Sequence, residues 1–221
     1  MYLYRNIIII AITVFSLISC LSKTEKQTDK TADVFEKITD LSYLFDGVSL
    51  EGWEITDFAL PGDVYVKKGE LILERGDGCT GITWKGTLLP VMDYQLSLDA
   101  KRIAGFDFFC GLTFPVEDEF CSLIVGGWAG SIVGISCIDG IDASENETTM
   151  QMYFEDNRWY HIMVEVSEGK IKAMIDDQVV VDFTKGNHWL SVRAEVQQNI
   201  PLGIASWHTT AALKNIRLEK L

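Results

Sequence analysis

The sequence is poor in positive charge. Its 221 residues include 19 Lys and Arg against 32 Asp and Glu, which gives a formal net charge of −13 at pH 7. Proteins that bind nucleic acid concentrate Lys and Arg on one face, because basic side chains make the phosphate contacts. No basic stripe occurs here, and a negative surface repels polyanions at long range. We therefore expect neither nucleic acid nor polyanionic glycans as partners.

The short motifs of several enzyme classes are also missing. The sequence has no phosphate-binding Gly-rich loop, no HExxH pair and no Ser-His-Asp pattern. It has no CxxC spacing, which argues against zinc bound by cysteine. The Glu-x-Asp-x-x-Glu motif of laminarinase-type glycosidases is absent as well. Ordinary glycoside cleavage by a pair of carboxylates on one strand is therefore not expected.

The first residues have the order of a secretory signal peptide. Arg5 supplies one positive charge, residues 7–18 form an apolar run, and Leu17-Ile18-Ser19-Cys20 follows. A small residue directly before a cysteine, after two aliphatic residues, resembles the lipobox of bacterial lipoproteins. The resemblance implies cleavage after residue 19, a lipid on Cys20 that binds the membrane, and a location in the cell envelope outside the cytoplasm. The alternative is an anchor helix, since residues 6–22 are uncharged and approach the length that spans about 30 Å of hydrocarbon.

The rest of the chain divides into a tether and one folded domain. Residues 20–37 are polar, without an apolar period, and are predicted to form a flexible tether. Residues 38–221 suit one domain with a single substantial core.

Export permits disulfides, and four cysteines remain besides Cys20: Cys79, Cys110, Cys121 and Cys137. Cys110 and Cys121 flank a predicted turn at 115–119, and Cys121 and Cys137 flank another at 126–130, so either pair could face across strands. The alternative is buried reduced thiols that pack as small hydrophobic groups. The sequence leaves the disulfide state open.

From Leu41 onward, apolar residues recur mainly at every second position, and clusters of Gly, Asp and Asn interrupt them. This spacing is typical of antiparallel sandwiches and barrels. The clearest predicted strands are 70–74, 94–101, 106–114, 122–126, 131–137, 159–166, 171–176, 179–183 and 202–207. We predict an all-β, two-sheet antiparallel sandwich of the concanavalin A-like jelly-roll type, with a Greek-key sandwich as the alternative.

One predicted strand shows which face is buried. Its alternate residues Tyr160, Ile162, Val164 and Val166 are expected on the core side. Short turns join it to the next two predicted strands, so the three should form a meander.

Residues 44–53 read LFDGVSLEGW, and the chain closes with PLGIASWH at 201–208 and LKNIRL at 213–218. These segments, with Arg158-Trp159-Tyr160 and the hairpin of 171–182, resemble the 3-keto-disaccharide hydrolase domain family. The resemblance implies the jelly-roll fold and an exported hydrolase that cleaves glycosidic bonds of 3-keto-glycosides. A sugar 3-dehydrogenase acting upstream is implied as well, because the substrate must first be oxidised at C3.

The middle of the chain departs from the family's pattern. The family has an Asn-Ser-Gly strand and then a strand bearing Tyr-Glu and Gln, whereas residues 106–114 and 122–128 read FDFFCGLTF and SLIVGGW. Because the family's polar centre lies on those two strands, its catalytic residues do not carry over. The chain therefore resembles a divergent branch of the family.

The implied chemistry differs from direct displacement. A ketone at C3 acidifies the proton on C2, so a base can remove it, a donor or a divalent metal ion can hold the enolate, and the leaving group at C1 can depart. Water then adds back. A metal requirement stays open from the sequence.

Four residues are candidates for catalysis. Asp139 and Glu147 belong to a carboxylate-rich loop, DGIDASENET, after a predicted core strand. Asp107 begins a strand from which it could point into a groove. His208 lies where the family often has a His on its penultimate strand. The alternatives are a solvated loop, a polar strand end and a structural histidine.

Three residues are candidates for binding sugar. Trp128 lies among small residues in a turn, Trp207 lies beside His208, and Asn146 belongs to the carboxylate-rich loop. An exposed indole stacks well on a sugar ring, although either Trp could instead pack on the sheet. A carbohydrate-binding module without catalysis, or a surface interaction domain, is therefore the alternative to an enzyme.

Overall fold

The structure is a computed structural model and describes residues 43–221. Predictions for residues 1–37, including the lipid on Cys20, lie outside the described residues. The strands are β1 (Trp53–Ile55), β2 (Val64–Lys67), β3 (Glu70–Leu73), β4 (Cys79–Trp84), β5 (Tyr94–Gly105), β6 (Cys110–Val116), β7 (Glu119–Gly126), β8 (Ile132–Ser136), β9 (Met150–Gln151), β10 (Tyr160–Ser167), β11 (Lys170–Ile175), β12 (Gln178–Thr184), β13 (Gly203–Trp207) and β14 (Thr209–Lys220). A 3-10 helix, Ala194–Asn199, precedes β13.

The strands form two antiparallel sheets of seven strands each. The front sheet has the order β1-β4-β13-β6-β7-β8-β9, and the back sheet has the order β12-β11-β10-β5-β14-β3-β2. The prediction of an all-β, two-sheet antiparallel sandwich is confirmed. Strands β10, β11 and β12 are neighbours in order, which confirms the predicted meander.

The core lies between the sheets and follows the period-two pattern. Tyr160, Ile162, Val164 and Val166 of β10 are all fully buried, as the alternation predicts. The opposite side of β10 faces solvent, where His161 bonds Asp99 through Nδ1 at 2.8 Å. One strand thus separates core from solvent by alternation alone.

The opening LFDG…GW segment has a structural role. The carboxylate of Asp46 accepts hydrogen bonds from the backbone N–H of Val48 at 2.8 Å and of Ser49 at 2.7 Å, and Gly47 has a φ of 75°. Trp53 is buried and donates its indole N–H to the carbonyl of Leu44 at 2.7 Å. The motif therefore closes the end of the sandwich.

The predicted strand at 106–114 begins only at Cys110. Residues 106–109 precede it, and Asp107 there bonds Thr209 twice: the N–H of Asp107 donates to Thr209 Oγ1, and that hydroxyl donates to the carbonyl of Asp107. Strands β1, β2, β4, β9 and β14 are not among the clearest predicted strands.

All four cysteines in the described part of the chain are free and buried. On the β6–β7 hairpin, Cys110 lies opposite Val125 and Cys121 lies opposite Phe114, so the predicted hairpin pair is out of register for a disulfide. Burial raises the pKa of Cys110 to about 12. The alternative of buried reduced thiols describes the structure.

Within residues 43–221, no helix combines the length and the apolar character needed to cross a bilayer.

Candidate functional site

The outward face of the front sheet is lined by small side chains. Thr113, Ser122 and Ser136 form a row across β6, β7 and β8, and Thr113 and Ser122 share a hydrogen bond between their hydroxyls at 2.8 Å. These positions alternate with core residues such as Leu123, which is fully buried. Small residues at the centre of the face leave room for a ligand against the sheet.

An open cavity of about 200 Å³ lies on this face. Its lining comes from the sheet, from loops and from the 3-10 helix: Cys79, Asp107, Phe108, Ser122, Ile124, Trp128, Ser136, Arg193, Glu195, Val196 and Trp207. The cavity therefore combines an aromatic wall with a charged wall.

Asp107 and Trp128 belong to the same wall. Residues Gly127–Gly130 turn sharply after β7, with φ values of 49° at Trp128 and 66° at Ala129. Asp107 holds this turn, since one carboxylate oxygen accepts the N–H of Ala129 at 3.1 Å and the other accepts the N–H of Phe108 at 2.8 Å. Trp128 is 38% exposed. The turn thus presents a partly exposed indole to the cavity.

Phe108 and Trp207 complete the aromatic wall. The N–H of Trp207 donates to the carbonyl of Phe108 at 3.0 Å. The Phe108 ring lies on Gly111, where an added Cβ would come within 3.0 Å of a ring carbon. Glycine at 111 therefore allows the ring to lie close to the sheet.

His208 lies behind Trp207 and is not part of the cavity lining. Its ring makes an edge contact with Trp207, at 4.9 Å between centroids, and stacks on Phe106 at 6.0 Å. Its Nδ1 is buried and has no hydrogen-bond partner among the described residues. The predicted catalytic His208 therefore contacts the aromatic wall through Trp207 but does not line the cavity.

The charged wall is built on Arg193. Its guanidinium donates to Glu195 through Nη2 at 2.9 Å and through Nε at 3.3 Å, and to Asp142 through Nη1. Asp142 also accepts hydrogen bonds from the Ser136 hydroxyl at 3.1 Å and from the Cys137 thiol at 3.3 Å. Arg193 is thereby fixed to both the sheet and the 3-10 helix.

The pairing shifts the titration of both partners. The hydrogen bond with Glu195 is the main cause that raises the pKa of Arg193, and the guanidinium in turn holds the pKa of Glu195 below its usual value. Both side chains are therefore charged at neutral pH. Cys79, at the floor of the cavity, stays a neutral thiol because burial raises its pKa to about 12.

Asp139 and Glu147 come together outside the cavity lining. Asp139 bonds Nδ1 of His188 at 2.6 Å, and Glu147 lies 3.7 Å from Nε2 of the same ring. The bond to His188 lowers the pKa of Asp139, and the bond to Asp139 raises the pKa of His188. The two predicted catalytic carboxylates thus share one histidine on a second surface.

Asn146 bonds within its own loop. Its amide N–H groups donate to the carbonyls of Ile135 at 2.7 Å and Ile141 at 3.0 Å, while its oxygen accepts from the N–H and hydroxyl of Thr148. The side chain predicted to bind substrate therefore ties the carboxylate-rich loop to β8.

Sequence reasoning missed Arg193, Glu195 and His188. No short motif surrounds them, and their partners lie far away in the chain: Asp142 is 51 residues from Arg193, and Asp139 is 49 residues from His188. No group of three His, Cys, Asp or Glu side chains within residues 43–221 is arranged to hold one metal ion, so we derive no step through a metal.

Comparison with known proteins gives both a family and a fold. A family model described as 3-keto-alpha-glucoside-1,2-lyase-like domain matches residues 40–219. A Crh5 transglycosylase in complex with NAG is 15% identical with a TM-score of 0.58, over 83% of this chain and 85% of that chain. Bacillus licheniformis beta-glucanase is 11% identical with a TM-score of 0.55, over 81% and 97%. These likenesses confirm the concanavalin A-like sandwich. No curated protein matches the chain.

Proposed function

The chain belongs to the 3-keto-alpha-glucoside-1,2-lyase-like family, and from that premise we propose that its front-sheet cavity cleaves 3-keto-glucosides by elimination between C1 and C2. Water then adds to the product, so that the net reaction is hydrolysis. The observation that carries the proposal is the cavity itself, in which a carboxylate, a fixed guanidinium and aromatic side chains face one space of about 200 Å³. A small cavity with an apolar wall and few convergent polar groups suits a small ligand such as one sugar ring.

Asp107 is the proposed base. Two carboxylates line the cavity, but both oxygens of Glu195 are engaged by Arg193. Each oxygen of Asp107 accepts only one backbone N–H, and a carboxylate oxygen has a further lone pair to offer. Asp107 is therefore the carboxylate better able to take the C2 proton.

Arg193 is the proposed stabiliser of the enolate. When Asp107 removes the proton from C2, the electron pair moves toward the C3 carbonyl oxygen, which becomes negatively charged. A fixed cationic donor at that oxygen lowers the barrier, because it needs no reorganisation as the charge develops. Asp142 and Glu195 hold the guanidinium from two sides, which supplies the fixed geometry.

The second step completes the elimination. The C3–O⁻ electrons re-form the carbonyl, C1 and C2 become doubly bonded, and the C1–O bond breaks. The departing oxygen takes the C2 proton from Asp107 and leaves as an alcohol, which returns Asp107 to its ionised form. Addition of water then places hydroxide on C1 and a proton on C2, giving the free 3-keto-sugar. Atoms and charge balance without an oxidant or a reductant.

The test is turnover of a 3-keto-α-glucoside such as 3-keto-trehalose, with chromatographic detection of the released hexose. Asp107→Asn should lower kcat by about 100-fold or more, as loss of a general base does. Asp182→Asn, which changes an exposed carboxylate on β12, is the matched control and should keep wild-type activity. No turnover by the wild type at high enzyme concentration would overturn the proposal.

A second candidate function is sugar binding without catalysis. It is favoured by the exposed indole of Trp128 beside Trp207 at the same cavity, since aromatic platforms serve binding modules as well as enzymes. Saturable binding of a 3-keto-glucoside with no turnover would favour this function.

We also propose that the domain works in the cell envelope, held to the membrane by a lipid on Cys20. The proposal rests on the lipobox-like LISC segment. Mass spectrometry of the mature chain should find a diacylated N-terminal Cys20, and Cys20→Ala should abolish both the lipid and membrane attachment. An unmodified Cys20 preceded by residues 1–19 would contradict it.

A further inference from the structure

Trp189 is a second exposed aromatic platform, distinct from those of the cavity. Its side chain is 50% exposed, yet its backbone is held on both sides: its N–H donates to the carboxylate of Asp139 at 3.0 Å, and its carbonyl accepts the N–H of Asp139 at 2.9 Å. The benzo end of the indole lies against Gly140, where an added Cβ would come within 3.3 Å of it. An exposed indole held in this way loses little freedom when a ligand stacks on it.

Polar side chains surround the platform. His188 precedes Trp189 and is 41% exposed, and Glu147 beside it is 61% exposed. The imidazole, whose Nδ1 bonds Asp139, keeps Nε2 on the side of Glu147. An aromatic face bordered by directional donors and acceptors is a combination that recognises a sugar ring, whose C–H face is apolar and whose edge carries hydroxyls.

The platform and the cavity share two chain segments. The same chain segment that carries Trp189 reaches Arg193 four residues later, at most roughly 14 Å away along an extended backbone. The loop that carries Asp139 also supplies Asp142, which bonds Arg193. Two segments, 137–149 and 188–195, therefore contribute to both surfaces, and the backbones of Trp189 and Arg193 are close enough for a short oligosaccharide to reach both.

We infer that Trp189, with His188 and Glu147, forms a second sugar subsite, which takes the leaving-group end of an α-linked oligosaccharide whose keto ring occupies the cavity. The inference rests on the proposed function for its orientation. It also explains why the two predicted catalytic carboxylates lie away from the cavity: Asp139 positions the platform, and Glu147 offers a hydrogen bond to a sugar hydroxyl.

The first experiment compares two substrates in the full chain: methyl 3-keto-α-glucoside, which cannot reach Trp189, and maltotriose oxidised at C3 of its non-reducing ring. Trp189→Ala should raise KM for the longer substrate about 10-fold, which is the scale of one lost stacking contact. It should leave kcat for both substrates and KM for the methyl glycoside unchanged. Trp189→Phe should give a smaller rise, and Tyr43→Ala, which removes an exposed ring that contacts Arg217, should give none.

Equal KM effects on both substrates, or no effect on either, would overturn the subsite. If the wild type turns over neither substrate, the proposed function fails, and calorimetric binding of unoxidised maltotriose becomes the readout. Binding weakened about 10-fold by Trp189→Ala, but unchanged by Tyr43→Ala, then supports the subsite on its own. Binding that is absent, or is insensitive to Trp189→Ala, overturns it. Melting temperatures of all variants separate these outcomes from loss of folding.

Discussion

Asp142 and Arg193 form a charged pair in the charged wall of the cavity. The pair joins segment 137–149 to segment 188–195. One carboxylate oxygen accepts a hydrogen bond from the guanidinium, and the other accepts one from the Ser136 hydroxyl of β8. Arg193 also pairs with Glu195 of the 3-10 helix. The position of Arg193 is therefore set by partners from both sides, which is the condition under which a cationic donor stabilises a developing oxyanion.

Asp142→Asn tests whether that positioning serves turnover. The amide keeps the size of the side chain but loses the charge, so Arg193 should be held less firmly. We expect kcat for a 3-keto-glucoside to fall about 10-fold while KM changes little, as for an interaction that matters mainly in the transition state. A rise in KM with kcat unchanged would instead mean that Arg193 binds the substrate and the transition state equally well. Asp182→Asn is again the control, and thermal melting checks the fold.

Trp128→Ala tests the aromatic rim. The indole lies on a turn held by Asp107 and is partly exposed, so its removal should cost little stability. Loss of one stacking surface should weaken binding of a 3-keto-glucoside about 10-fold, measured as a rise in KM with Asp107 left in place to hold the turn. Unchanged affinity would mean that the substrate does not contact this turn.

His188→Gln tests the pair with Asp139 through its pH dependence. The pKa of His188 is raised above 6.5, so its contribution to stability is complete below pH 6.5 and is lost as pH rises through the raised value. The pKa of Asp139 is lowered below 3.8, so its contribution is present above pH 3.8 and is lost as pH falls through the lowered value. The deficit in Tm of the variant should therefore be largest near pH 5 and small at pH 9. An equal deficit at both pH values would contradict the pairing.

Thiol titration tests the cysteine assignment. In a Cys20→Ser chain, four thiols should react with a chromogenic disulfide reagent after denaturation, and hardly any should react in the native protein, because the four are buried and burial raises the pKa of Cys79 and Cys110 to about 12. Detection of two thiols or none after denaturation under non-reducing conditions would reveal disulfides that the structure lacks.

The sequence pattern predicted the fold well because buried and exposed residues alternate along each strand, and this alternation is visible in the sequence. In β10, alternate residues face core and solvent, so a period of two identifies Tyr160 and Ile162 as buried without knowledge of their partners. The Gly-rich turn at Trp128 is also local, since Gly126 and Gly130 adopt positive φ at no steric cost, but the sequence left open whether the indole lies on the sheet or is exposed.

The charged parts of the site could not be predicted in the same way. Arg193 acquires a role only through Asp142, and His188 only through Asp139, and each pair is brought together by the packing of two loops rather than by spacing in the chain. The carboxylates of the Asp139 loop are visible in the sequence. The position of the loop relative to the cavity is not, because it depends on how the loop packs against the segment before the 3-10 helix. Asp107 lies in the cavity lining, although the strand that was expected to present it starts three residues later.

Removal of the proton on C2 in the front-sheet cavity is measured by turnover of a 3-keto-α-glucoside in D₂O, followed by NMR. Elimination and re-addition of solvent should place deuterium on C2 of every released 3-keto-sugar. This incorporation should exceed the exchange seen without enzyme, and Asp107→Asn should lower the rates of both release and incorporation by about 100-fold or more. Release of a 3-keto-sugar that retains its original C2 proton would show direct displacement at C1 and would contradict the account.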